Sequence, residues 1–67
     1  VQIAAIKKIK DTKGINYLND DLKELALLRL DNPEMSLKEL GESLSKKVSR
    51  SGVNHRFKKI IDISKTL

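Results

Sequence analysis

Between Ser49 and Ile60 the chain reads SRSGVNHRFKKI, a set of side chains suited to hydrogen bonding rather than to making or breaking bonds. An asparagine amide matches the donor–acceptor pair on the edge of adenine, an arginine fork matches guanine, and serine or histidine can bond to base edges or to phosphates. Apolar residues are interleaved at helical spacing. At about 100° per residue, Val53, Phe57, Ile60, Ile61, Ser64 and Leu67 share one side, whereas Ser51, His55, Lys58 and Asp62 lie opposite, flanked by Asn54 and Lys59. With Val53 as the inward anchor, Arg50, Ser51, Asn54, His55 and Lys58 take the outward positions that a helix docked in a duplex groove presents to base edges. Arg56, nearer the apolar flank, either joins them or pairs within the protein. Gly52 would let the backbone come close either to a sugar-phosphate chain or to the preceding helix. The free N–H groups of the first turn suit a phosphate.

Charge points the same way. The net charge is +5; residues 1–34 carry six Lys/Arg against six Asp/Glu, and residues 35–67 carry eight against three, so the surplus lies in the second half. No acid stands between Glu42 and Asp62, while Lys46, Lys47, Arg50, Arg56, Lys58 and Lys59 fall in that interval. Such a stripe is the electrostatic footprint for a polyanion, and equally the composition of a solvated helix face. Catalysis finds little support. His55 is the only histidine and there is no cysteine, which excludes a thiolate metal site or a disulfide and leaves no partner for a nucleophile–base pair. Gly14, Gly41 and Gly52 are too far apart for a phosphate-cradling loop. We therefore expect a non-enzymatic binding module with no cofactor, metal or small-molecule substrate.

Size and apolar content set the frame. Sixty-seven residues at 39% apolar content make one small domain near the lower limit for a self-sufficient core. The longest apolar run falls far short of the roughly 20 residues needed to cross a bilayer, so no membrane partner is expected and the chain reads as soluble and cytoplasmic. It starts at Val1 and has its only methionine at Met35, the pattern expected of a fragment of a longer protein.

The elements that would position these residues are four helices, with no convincing strand. The first spans about Gln2 to Lys13, with Ile3, Ile6 and Ile9 on one side and Gly14 ending it. After a linker through Asn16, Tyr17 and Leu18, Asn19 is a good N-cap, and Asp20 and Asp21 complement the positive end of a second helix reaching about Leu30. Its apolar residues Leu22, Leu25, Ala26, Leu27, Leu28 and Leu30 spread almost around the barrel, which predicts a central helix buried on more than one side. Arg29 falls among them and predicts a structural pairing, with an acid such as Glu39 or a helix-end carbonyl. Pro33 forbids continuation. SLKE, beginning at Ser36, is a capping box that opens a short third helix to about Leu44, with Leu37, Leu40 and Leu44 as its stripe. Gly41 sits in that stripe, where it either permits close packing, the preferred reading, or is a tolerated cost of about 1 kcal/mol. Ser49 then caps a fourth helix running toward the end of the chain.

A short helix, a brief connection and a longer helix with a polar leading edge make the plan of a helix-turn-helix, whose second helix enters the major groove. Gly41, Leu44, Val48 and Val53 fit its small and apolar positions. The connection SKKV is about two residues longer than the tightest form, with Lys46 and Lys47 as the surplus, which suits a loop that touches phosphate. The fold class is thus all-α, a small four-helix domain over residues 1–67 with the motif at about 36–67.

NPEMSLKELGESL followed by KKVSRSGVNHRFKKI closely resembles the C-terminal helix-turn-helix domain of the WhiA family, and LKELALLRLDNP extends the resemblance over nearly the whole chain. Its most specific part is SGVNHR, with SLKELG at a fixed distance before it. The resemblance implies a DNA-binding domain of a transcription regulator of sporulation and cell division in Gram-positive bacteria, acting on double-stranded DNA at the nucleoid. It implies that this domain follows an N-terminal part related to LAGLIDADG homing endonucleases without evident nuclease activity. It places Ser49, Arg50, Ser51, Asn54, His55 and Arg56 on the recognition segment. The turn departs from the family, which commonly has prolines where Lys46 and Lys47 stand here. The alternative expectation is a protein-interaction module whose basic face docks an acidic partner, such as an RNA polymerase subunit, another transcription protein or the rest of its own chain, with the first helix as a tether.

Overall fold

The computed structural model describes residues 2–67; Val1, the first residue of the expected domain, lies outside the described residues. Helix α1 spans Gln2–Thr12, α2 Asp20–Asp31, α3 Leu37–Ser43 and α4 Arg50–Lys65, with a single turn of 3-10 helix at Ile15–Tyr17. There is no strand among the described residues, so the fold is the expected all-α arrangement of four helices containing a helix-turn-helix.

Local chemistry sets the ends. The N–H groups of Lys13 and Gly14 both donate to the Ile9 carbonyl at 2.9 Å, and Gly14 then turns the chain at a φ of 83°, a backbone conformation costly for any residue with a Cβ. The segment after it, expected as a plain linker, winds into the 3-10 turn and drops Leu18 into the core. Asn19 caps α2 by accepting from the Leu22 N–H at 3.0 Å. At the other end the Asn32 amide donates back to the Leu28 carbonyl at 3.1 Å, and Pro33 follows.

The core joins Ala5, Ile6 and Ile9 of α1, Leu22, Leu25 and Ala26 of α2, Leu40 of α3, and Val53, Phe57 and Ile60 of α4. One expectation is corrected in part. The buried residues of α2 are Leu22, Leu25, Ala26 and Arg29, a single stripe of the kind one helix face presents, and Leu27 is 41% exposed. Neighbours do meet α2 from more than one side, since it touches α1, α3 and α4, but the most extensively packed helix is α4, chiefly against α1. Counting leucines around α2 overstated its burial, since an apolar side chain at a surface position is commonplace.

Arg29 closes the end of the bundle away from the motif turn. Its Nη1 donates to the carbonyls of Pro33 at 3.2 Å and Met35 at 2.6 Å, and its Nη2 donates to Gln2 Oε1 at 2.9 Å. The guanidinium carbon lies 5.4 Å from the centre of the Phe57 ring, within cation–π range. The partners are thus loop carbonyls, not Glu39, which is occupied at the start of α3. One residue therefore ties α1, α4 and the α2–α3 loop to α2.

Candidate nucleic-acid interface

Helix α3 begins at a reciprocal cap. The Glu39 N–H donates to Ser36 Oγ at 3.2 Å and the Ser36 N–H donates to Glu39 Oε1 at 3.1 Å. Those bonds to Ser36 hold the exposed Glu39 carboxyl below its usual range, because they favour its charged form. Seven residues later the chain leaves the helix at Leu44, whose extended backbone starts the turn while its side chain stays in the core. The turn closes when the Val48 N–H donates to the Gly41 carbonyl at 3.1 Å.

Gly41 is buried, and the reason is steric. A Cβ built there would run into the Val48 carbonyl oxygen and lie 3.1 Å from Val53 Cγ2. Close packing at the motif's small position is therefore a property of this fold. Gly52 serves a related purpose, since an added Cβ would meet Val48 Cγ1 at 2.5 Å. What comes close to Gly52 is the turn, neither the preceding helix nor an open space reserved for a sugar-phosphate chain. Both glycines are thus pressed against Val48, where the turn meets α3 and the start of α4. Ser49 then caps α4, accepting from the Gly52 N–H at 3.1 Å; its hydroxyl hydrogen stays free to donate.

On this frame Lys46, Lys47, Ser49, Arg50, Ser51, Asn54, His55, Lys58 and Lys59 are all exposed, and Arg56 is half-buried on the flank of α4. The structure sorts several of them into two clefts on either side of the recognition helix. One, of about 390 Å³, gathers Arg50, Ser51 and Asn54 with Leu37 of α3. The other, of about 280 Å³, gathers His55, Arg56 and Lys59 with Asn19 and Asp21 at the start of α2. Asn54 and His55, neighbours in the chain, thus line different clefts. Lys58 is exposed on the side of α4 away from Val53 and Phe57.

Sequence reasoning missed the residues that α2 brings to this face. Asn19 and Asp21 are readable as a cap and a dipole partner, and they are both, but the fold also sets them beside the cations of α4. Glu24, one turn on, accepts from the Ser45 N–H at 3.3 Å and the Ser45 hydroxyl at 3.0 Å. The basic stripe that runs unbroken in the sequence is therefore bordered by carboxylates in space. An i to i+4 pattern on α2 could have flagged Asp20, Glu24 and Asp31 as its solvent face, but not what that face adjoins.

The arrangement offers convergent hydrogen-bond donors and positive charge on a convex ridge with shallow flanks. Among the described residues no group of three or more His, Asp or Glu is placed to hold a metal ion, and no helix is long and apolar enough to cross a membrane.

A family model described as the WhiA C-terminal HTH domain matches residues 1–64 of this chain. The chain is 54% identical over 66 residues to a "Probable cell division protein WhiA" of Thermoanaerobacter sp. strain X514, covering 98% of this chain and 21% of that protein. It is 56% identical over 59 residues to the protein of the same description from Lachnospira eligens, covering 88% of this chain and 19% of the other. In three dimensions it is similar to the crystal structure of full-length DUF199/WhiA from Thermatoga maritima, with a TM-score of 0.90 and 41% identity over 98% of this chain and 22% of that one. The chain spans about a fifth of the length of the relatives it matches.

Proposed function

The chain belongs to the WhiA C-terminal helix-turn-helix family, and from that membership we propose that it binds duplex DNA with α4 in the major groove. In this reading residues 1–67 form the DNA-binding domain of a longer transcription regulator of cell division, sporulation and chromosome segregation, working on the nucleoid in the bacterial cytoplasm. The observation that carries it is the exposed leading edge of α4, where Arg50, Ser51, Asn54, His55 and Lys58 are held out by a fully buried Val53 and Phe57. Their donors face solvent and match what base edges and phosphates accept.

The roles divide by reach. Asn54 and His55 read bases from the two flanks of α4, Arg50 and Ser51 accompany Asn54, and Arg56 and Lys59 accompany His55 toward the opposite strand. Lys46 and Lys47, in the turn, reach only phosphate, as does the hydroxyl of Ser49 at the helix start. A titration of duplex affinity against salt tests the proposal. Four to six phosphate contacts give a log–log slope of about −4 to −5. A slope near zero, with binding to an acidic protein that duplex DNA does not compete away, would replace this reading with a protein-docking one.

A further inference from the structure

Glu24 lies on α2, outside the α3–α4 motif, yet both of its hydrogen bonds go to the motif's turn, through the N–H and hydroxyl of Ser45 at 3.3 and 3.0 Å. The next fixed point along the turn is Val48, whose N–H donates to the Gly41 carbonyl at 3.1 Å. Lys46 and Lys47 are the two residues between these points, and both are exposed. Neither makes a hydrogen bond or ion pair of its own among the described residues. A connection longer than the tightest turn has more conformers to lose, and a loop ordered only on binding weakens the complex by the entropy of ordering it.

We propose that Glu24 is a positioning residue for the duplex contact, holding the turn so that Lys46 and Lys47 meet the phosphates already ordered. The inference rests on the duplex-binding reading above. It is open to a decisive test because charge alone requires the opposite sign. A carboxylate beside a phosphate-contacting loop repels the polyanion, so removing it should strengthen binding unless its hydrogen bonds matter more. Asp31, exposed at the far end of the same helix, supplies the charge-only control.

The experiment compares the wild type with Glu24→Ala, Glu24→Gln, Ser45→Ala and Asp31→Ala for affinity toward a duplex of random sequence at one low salt concentration, each protein checked by a thermal melt. Glu24→Ala should weaken binding roughly threefold, the scale of one or two exposed hydrogen bonds, and Ser45→Ala by less. Glu24→Gln keeps an acceptor oxygen and loses the charge, so it should bind at least as tightly as wild type, and Asp31→Ala should bind equally or slightly more tightly. With Lys46 and Lys47 both replaced by alanine, adding Glu24→Ala should cause no further loss. Binding by Glu24→Ala as tight as wild type, or a loss that persists in full without the two lysines, overturns the proposal. If the wild type itself showed no salt-dependent duplex binding, the duplex-binding reading would fall and this one with it. That result differs from a wild type that binds while Glu24→Ala behaves like Asp31→Ala, which overturns the positioning role alone.

Discussion

Arg29 and the cations of the turn and α4 carry the same charge, and the fold treats them in opposite ways. Arg29 is 8% exposed, donates to Pro33, Met35 and Gln2, and rests on Phe57, so its charge is spent inside the molecule. Its Nε is buried without a partner, a small penalty accepted for the other contacts. Lys46, Lys47, Arg50, Lys58 and Lys59 stand in solvent. The count of positive charges therefore says little about affinity for an anion. What counts is which of them the protein leaves unsatisfied, because a guanidinium already bonded to carbonyls has little left to offer a phosphate.

Arg29→Ala should have the largest effect. Losing three charge-assisted bonds and the Phe57 contact, and leaving part-buried carbonyls without donors, should destabilise the fold by about 3 kcal/mol in a denaturant melt. Below the unfolding transition, the salt slope of duplex binding should stay that of wild type. A reduced slope would place Arg29 among the phosphate contacts. Gly41→Leu acts on the frame that holds the free cations out. Its Cβ meets the Val48 carbonyl, so it should cost on the order of 1 to 3 kcal/mol despite the better helix propensity of leucine. A melt showing equal or greater stability would contradict the packing at the turn.

On the exposed side, affinity and specificity should separate. Replacing both Lys46 and Lys47 by alanine should weaken binding to every sequence alike and make the salt slope shallower by about 2. Asn54→Ala and His55→Ala should each lose roughly 1 to 3 kcal/mol on a preferred site while leaving random-sequence binding nearly intact. If each variant reduced binding to preferred and random duplexes by the same factor, α4 would be positioning the protein without reading sequence.

The smallest effect expected is at the start of α3. The Glu39 carboxyl is held below its ordinary value of 4.5, so its contribution to stability is fully present above that value and is lost as pH falls through the lowered one. Glu39→Gln, which removes the titrating group, should flatten that part of the stability–pH curve, read from melts between neutral and acidic pH. An unchanged acid limb would show that the capping box does not contribute to it.

The candidate interface was legible in part. Ser36, Glu39, Ser49 and Val53 have the local roles their spacing implies, and Gly41 is indeed a close-packing position. A helical wheel already sets His55 opposite the core and Asn54 on its flank, but it could not show that the start of α2 rises beside His55. Nor was the carboxylate border formed by Asp21 and Glu24 legible; dividing the chain into a neutral half and a basic half concealed it. Opposite charges that cancel in a sum can still stand on different faces.

The sequence by itself determined the family, the all-α class and the places where helices begin and end. The caps at Asn19, Ser36 and Ser49 and the turn at Gly14 join groups no more than five residues apart, so their energies are settled before distant parts of the chain meet. Only the tertiary structure decided which stripe of α2 is buried, that Arg29 bonds to loop carbonyls and Gln2, that Gly52 presses on Val48, and that Glu24 reaches Ser45. Apart from the loop carbonyls and Val48, these partners lie on other elements, and Gln2 and Ser45 stand 27 and 21 residues from theirs. Several partners of the right chemistry existed for each of these groups, and the choice among them was made by close packing around α4, which fixes the distances that composition and periodicity leave open.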